Sequence, residues 1–317
     1  MSDFRKVRSI MEELISHIRK KVEELLSDKV DNIKNIESAS NNSVFNVLVK
    51  NKHYIFKIYK QRTWPEDGKL IFINQKLIEN NISTAKIIAF DRNDSYFNSG
   101  FLLEEYVPGE NADNIALYEK KAKDFYQKFA LLVSKIHRIH IENYGYIGSG
   151  IASNESFIDF MNDKYDQTAN ALISKKLFGK DNLREIKKPV IDGLHFCESL
   201  PSVLNHGDLS TDNVIVDVHG KLTLIDWDNA MSYNWMADIS RMTYWMKFMY
   251  SEYEYELYRS IFLEHYSTDG KVSNLECVEN TYHVLIGLEY LNFFANTPQY
   301  ENRMVYFKKT VEKLLNL

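Results

Sequence analysis

The stretch His206-Gly207-Asp208-Leu209-Ser210-Thr211-Asp212-Asn213, together with Ile225-Asp226-Trp227-Asp228 further on, decides how the rest of the chain is read. Between them lie Asn213-Val214-Ile215-Val216-Asp217 and Leu222-Thr223-Leu224-Ile225-Asp226, two β-branched runs joined at His219-Gly220 in the manner of a hairpin. The pattern is a loop Asp, an Asn five residues on, and a strand pair that delivers a second Asp. Each spacing has a chemical reason. A loop Asp that projects toward a hydroxyl orients it and takes its proton. The Asn and the second Asp offer oxygen ligands of the kind Mg²⁺ prefers, an ion that keeps several waters and needs few protein donors. A single loop Asp is usually a turn or cap residue; type, order, spacing and hairpin context together are specific.

Toward the N-terminus, Ser43-Val44-Phe45-Asn46-Val47-Leu48-Val49 and His53-Tyr54-Ile55-Phe56-Lys57-Ile58-Tyr59 predict two strands, with Asn51-Lys52 in the turn position. A helix is expected from near Pro65, a residue suited to a first helical turn, to about Asn80. Ile87-Ile88-Ala89-Phe90 and the run from Phe101 to Val107 read as further strands, the second closed by Pro108-Gly109. Ahead of these, Phe4, Val7, Ile10/Met11, Leu14/Ile15, Ile18, Val22 and Leu25/Leu26 form one apolar stripe on a helix of about six turns. Beyond Gly109 the signal is helical, strongest at Phe125, Phe129, Leu132/Val133 and Ile136 as far as His140, and again from Met236 to Leu317. The expected fold is α+β in two lobes: residues 1–108 small and β-rich, residues 109–317 larger and mainly helical.

Composition narrows the function classes. The 317 residues carry 39 Lys+Arg against 44 Asp+Glu, which excludes a general nucleic-acid binder that would need clustered cations. Cys197 and Cys277 are the two cysteines, too far apart for a disulfide framework or a zinc cage, and they suit a reducing compartment. No apolar run approaches the roughly 18 residues of a membrane span, and the charged amphipathic N-terminus lacks a secretory h-region. The expectation is a cytoplasmic protein with no membrane partner.

The order His-x-Asp-x-x-x-x-Asn, hairpin, Asp is the core of a kinase catalytic loop and its metal site. Leu204-Asn205-His206-Gly207-Asp208-Leu209 and Ile225-Asp226-Trp227-Asp228-Asn229-Ala230 resemble the aminoglycoside phosphotransferase family of small-molecule kinases. Protein kinases have His-Arg-Asp and Asp-Phe-Gly at these places. Asp226 through Met231, with Asp238-Ile239 and Tyr244-Trp245, is most similar to the hygromycin B phosphotransferase branch. The resemblance implies a protein-kinase-like fold with Asp208 as catalytic base, Asn213 and Asp226 as Mg²⁺ ligands, and Asp238 as a brace for the loop. It further implies that Lys57 grips the α- and β-phosphates of ATP or GTP, and that Glu105 and Val107 form a hinge whose backbone pairs with the base.

Two departures stand out. The phosphate-covering segment Ser38-Ala39-Ser40-Asn41-Asn42-Ser43 has no glycine, so Ser40 and its neighbours would supply backbone N–H groups. The helix that should provide a Glu partner for Lys57 reads Leu70-Ile71-Phe72-Ile73-Asn74, which leaves Glu66, one turn earlier, as the candidate. On the acceptor side, residues 191–317 are net acidic, which suits a cationic acceptor. Glu252, Glu254 and Glu256, interleaved with Tyr253, Tyr255 and Tyr258, read either as a binding wall or as an exposed helix face. The expected activity is ATP- and Mg²⁺-dependent O-phosphorylation of a small molecule: an aminoglycoside-type antibiotic, or else a metabolite such as choline, a sugar or homoserine. A nucleotide-binding pseudokinase is the third reading.

Overall fold

A period of two in the apolar residues builds the first sheet, and a period of 3.6 covers it. The computed structural model describes residues 2–36, 42–116, 119–148, 152–295 and 301–314. Its first unit comprises Met1–Gly109, Gly148–Gly150 and Asp217–Asp228; its second comprises Glu110–Ile147, Ile151–Val216 and Asn229–Leu317.

The first unit contains α1 (Ser2–Leu26), β1 (Asn32–Ile36), β2 (Ser43–Val49), β3 (Lys52–Ile58), α2 (Lys69–Glu79), β4 (Ile87–Asp91) and β5 (Phe101–Glu105). The strands form an antiparallel sheet in the order β1-β2-β3-β5-β4. Its register sets Phe45 opposite Phe56 and Phe56 opposite Leu103, while Val44 faces Lys57 and Lys57 faces Leu102. Partners in register share a face and successive residues alternate, so Phe56 and Lys57 point to opposite faces. The Phe56 face packs under α1, where Ile18 and Val22 are buried with Phe45, Val47, Phe101 and Leu103. The Phe56 and Phe101 rings stack with centroids 5.1 Å apart. Each such side chain contributes about 1.5–3 kcal/mol on burial. Ile10 remains 57% exposed, while Leu14, Ile18, Val22 and Leu26 of the stripe pack on the core.

Three expectations shift. The β2–β3 turn is Lys50-Asn51, both with positive φ (48° and 64°), so β3 starts one residue earlier. The α2 helix begins at Lys69, not at Pro65, because Gly68 takes a left-handed conformation (φ 74°) at its N-cap. Strand β1 was not anticipated. It offers only Ile33 and Ile36 as apolar residues and lies at the sheet edge, mostly exposed. The chain returns to this unit at residues 217–228, where Asp217 Oδ1 accepts from the N–H groups of His219 (2.8 Å) and Lys221 (2.9 Å) and shapes the hairpin tip.

The second unit runs through β6 (Glu110–Asn111), α3 (Asp113–Ala116), α4 (Glu119–Ile136), β7 (Gly145–Tyr146), α5 (Phe157–Ser174), α6 (Lys180–Leu194), β8 (Val203–Asn205) and β9 (Val214–Val216). After β10 (Leu222–Leu224, in the first unit) it resumes with β11 (Met231–Tyr233), α7 (Met236–Met249), α8 (Glu252–His265), α9 (Leu275–Phe294) and α10 (Glu301–Leu314). A small sheet, β7-β11-β8, leads directly into the loop after Asn205. Helix α9 is buried on nearly every side, as a helix that is apolar all round must be. Helix α8 answers the question of the Glu/Tyr stretch. Ser251 and Glu254 form a capping box, Tyr255 and Tyr258 are buried, and Tyr253 points to solvent, so it is an amphipathic helix face. Among the described residues no helix is long and apolar enough to cross a membrane.

Candidate active site

The loop after β8 is held from behind by one carboxylate. Asp238, in the first turn of α7 and 1% exposed, accepts from the backbone N–H of His206 at Oδ2 (2.6 Å) and of Gly207 at Oδ1 (2.9 Å). His137, just beyond α4, stands 3.3 Å from Oδ2 and is itself fixed by the Tyr266 hydroxyl at 2.7 Å. Burial alone would raise the Asp238 carboxyl; the hydrogen bonds and charges of His137 and His206 outweigh it and hold it below the usual range. Gly207 (φ 76°) passes so close to Asn229 that an added Cβ would lie 1.9 Å from the Asn229 carbonyl oxygen.

Asp208 follows, partly exposed, while Leu209 anchors the loop in the core. Asn213 Nδ2 donates to the Asp208 carbonyl (2.9 Å) and to Ser210 Oγ (3.4 Å), and lies 3.5 Å from Asp208 Oδ2. This turns the amide nitrogen inward and leaves the amide oxygen for an outside ligand. Thr211 donates to Asp113, and Asn111 Nδ2 donates to the Asp212 carbonyl at 2.6 Å, so β6 and α3 fix the far side of the loop.

In the first unit, Lys57 lies on the sheet face opposite the Phe56 core and is buried. Its Nζ donates to Asp226 Oδ1 (2.8 Å) and Asp228 Oδ2 (3.1 Å). Burial would lower the Lys57 ammonium, but the two carboxylates more than offset this and raise it well above its ordinary value, so it stays charged. Asp226 sits in the left-handed region (φ 60°), an uncommon conformation for a residue with a Cβ and a frequent mark of a working site. Tyr59 donates its hydroxyl to Asp228 Oδ1 at 3.1 Å. A cavity of about 20 Å³, room for a water molecule, is lined by Lys57, Asp226, Asp228 and Glu104 with Leu70 and Asn74 of α2. Burial pushes the Glu104 carboxyl up to about 7 against the pull of Lys57.

The expected partner of Lys57 is corrected here. Glu66 pairs with Lys69 three residues on, because the buried Lys69 ammonium, 3.8 Å from the Trp64 ring centroid, needs a counter-charge of its own. The face of α2 toward Lys57 is apolar apart from Asn74. Ser40 lies outside the described residues. Glu105 and Val107 are placed at and just after the end of β5, where the Glu105 amide already donates to the Lys86 carbonyl at 2.9 Å. Asp228, Tyr59 and Glu104 were not singled out by sequence reasoning; the alternation that puts Tyr59 and Lys57 on one face was the available signal for the tyrosine.

Beside the loop in the second unit lies a buried charge cluster. Glu289 Oε1 meets Lys164 Nζ at 2.6 Å and its Oε2 meets Arg241 at 2.8 Å, while Arg241 and Trp245 both donate to the Tyr290 hydroxyl (3.0 and 2.8 Å). Burial opposes ionisation of Glu289, but the two cations prevail and hold it down at about 2. Arg241 also feels the negative charge of Asp208, and with Gly207 and Asn205 it lines a cavity of about 30 Å³.

Taken singly, the Asn213 amide oxygen and the Asp226 carboxylate are each donors of the hard oxygen type that a divalent ion such as Mg²⁺ takes beside water and phosphate. Among the described residues no group of three or more His, Cys, Asp or Glu side chains forms a metal cage. The sequence profile of the phosphotransferase enzyme family matches residues 32–266. No curated protein matches the chain. Among solved structures, a thermostable mutant of the aminoglycoside phosphotransferase APH(4)-Ia superposes with a TM-score of 0.70 at 15% identity, over 94% of this chain and 98% of its own. A putative fructosamine-3-kinase from Thermobifida fusca gives 0.66 at 15% identity, over 95% and 99%. The choline kinase LicA from Streptococcus pneumoniae gives 0.65 at 16% identity, over 96% and 100%. With its two-lobed kinase-like fold and a match over most of its length, the chain belongs to the phosphotransferase enzyme family, as a small-molecule phosphotransferase.

Proposed function

We propose that the chain transfers the γ-phosphoryl group of ATP or GTP to a hydroxyl of a small molecule, with Mg²⁺ as cofactor and Asp208 as the group that orients the hydroxyl and takes its proton. The observation that carries this reading is the loop itself: Asp238 braces its entry, and Asn213 ties the backbone and carboxylate of Asp208 into one geometry. Asn213 and Asp226 would hold the ion, which would neutralise developing charge on the phosphates. Lys57, kept cationic by its two carboxylates, would grip the α- and β-phosphates, and the backbone of Glu105 and Val107 would receive the base. Transfer of this kind is positioning and electrostatics, with no covalent intermediate on the protein.

For the acceptor, the motif similarity to the hygromycin B branch supports an aminoglycoside-type antibiotic, which would make the chain a resistance enzyme. A specific observation favours a metabolite as second reading. Both oxygens of Glu289 are engaged by Lys164 and Arg241, so the cluster beside Asp208 offers two cations and no spare carboxylate to a polycationic acceptor. Phosphoryl transfer from ATP and GTP, measured across aminoglycosides, hygromycin, choline, sugars and homoserine, decides between them. Asp208→Asn is expected to keep nucleotide affinity and lose about 10²–10⁴-fold in turnover. Undiminished turnover would remove Asp208 from this role, and nucleotide binding with no transfer to any acceptor would favour a pseudokinase.

A further inference from the structure

A lysine that grips phosphate needs a carboxylate behind it, because its four-carbon stem is flexible and its ammonium is a point charge without directional preference. The helix packed over Lys57 does not provide one. The only acid in α2 is Glu79, at the far end beside Gln75 and Lys76, and Glu66 is taken by Lys69.

We propose that Asp228 is the positioning residue of Lys57, supplying from the segment after β10 the carboxylate that α2 lacks. The side chain of Asp228 is 8% exposed and that of Asp226 is 47% exposed, so the two partners of Lys57 differ in kind. Both carboxylate oxygens and the backbone carbonyl of Asp228 are tied inside the first unit. Oδ1 accepts from Tyr59 (3.1 Å), Oδ2 from Lys57 (3.1 Å) and from Asn42 Nδ2 (3.4 Å), and the backbone carbonyl accepts from Lys69 (3.3 Å). Lys57, near the end of β3, and Tyr59, one residue past it, are two apart and both reach Asp228, so one stretch of chain clamps both oxygens. A carboxylate clamped in this way cannot follow a ligand. Asp226 is open to solvent and can. The Asp-Trp-Asp order divides the work: the first acid faces the ligand, the second holds the lysine, and Trp227 between them is fixed into the core by donating to the Leu224 carbonyl at 3.1 Å.

This inference rests on the nucleotide-binding reading of the first unit, and calorimetric titration of the full chain separates the two. Mg²⁺-ATP, Mg²⁺-GTP, Mg²⁺-ADP and adenosine are titrated into wild type, Asp228→Asn and Tyr59→Phe, with melting temperatures recorded alongside. Asp228→Asn should weaken ATP and ADP by about tenfold or more and leave adenosine unchanged, since adenosine has no phosphate for Lys57 to reach. Tyr59→Phe, which keeps every charge and loosens only the clamp, should do the same to a smaller degree at nearly wild-type melting temperature. ATP affinity equal to wild type in Asp228→Asn overturns the proposal. So does an equal loss for ATP and adenosine, which would make Asp228 a support of the fold alone. A wild-type chain that binds neither ATP nor GTP sinks the nucleotide reading, and the role of Asp228 with it.

Discussion

Gly207 is the residue at which the loop has least freedom. Its φ of 76° and the 1.9 Å approach of a built Cβ to the Asn229 carbonyl oxygen are backbone constraints that no side chain can relieve by moving. Gly207→Ala should therefore lower stability by about 1–3 kcal/mol and displace Asp208, read as a reduced melting temperature and lost transfer. A variant that melts and turns over as wild type would mean the loop has slack. The neighbouring loop was legible from sequence because a local pattern depends on fixed offsets: Asp208 and Asn213 are five apart in one loop and are joined by hydrogen bonds. The clamp on Lys57 was not legible. Tyr59 and Asp228 are separated by 169 residues, and no local pattern announces that they meet.

Helices and strands followed their periodicities where one face is buried, and departed from them at ends and edges. The hairpin of β2 and β3 was readable from its apolar and aromatic content, while β1, with two apolar residues in five, carried too weak a signal. The start of α2 was misjudged because a proline suits a first helical turn, yet a left-handed Gly68 delays the helix to Lys69. Helix α9 makes its own prediction. His283, fully buried on it beside Thr243 Oγ1 (3.0 Å), is pushed down to about 3 by burial, with Lys247 and Arg259 adding to the effect and Glu279 opposing it. The unfolded chain protonates this imidazole near pH 6.5 and the folded chain does not, so its contribution is intact above that value and falls away as pH drops toward 3. At pH 5 the loss is about 2 kcal/mol from this group, before most carboxylates titrate. His283→Gln should flatten the decline in melting temperature between pH 6.5 and 5; an unchanged slope would assign that decline to other groups.

At the scale of the whole molecule, the first unit is not a contiguous stretch of chain. It is completed by residues 217–228, which bring both carboxylates that form ion pairs with Lys57. A fragment ending at Gly109 would lack both acids that pair with Lys57 and the residues, Leu224 to Asp228, that help to enclose it, leaving that side of the sheet uncovered. Such a fragment should melt well below the intact chain and be cut readily by protease, whereas a fragment as resistant as the intact chain would show that the sheet and α1 suffice. The turn-rich hairpin was visible in the sequence, but the grouping of residues 217–228 with the earlier unit was not, since periodicity reports which face of a strand is apolar and not which layer receives it.

That discontinuity has a consequence for how the protein is made. Residues 217–228 leave the ribosome about 100 residues after Gly109, a delay of roughly 5–20 s at ordinary rates of synthesis. Throughout that interval the nascent sheet lacks both acids that pair with Lys57 and the segment that helps to enclose it. The N-terminal segment, first to emerge, is thereby committed to finishing late, and a pause or truncation within the intervening helices would strand it half-built.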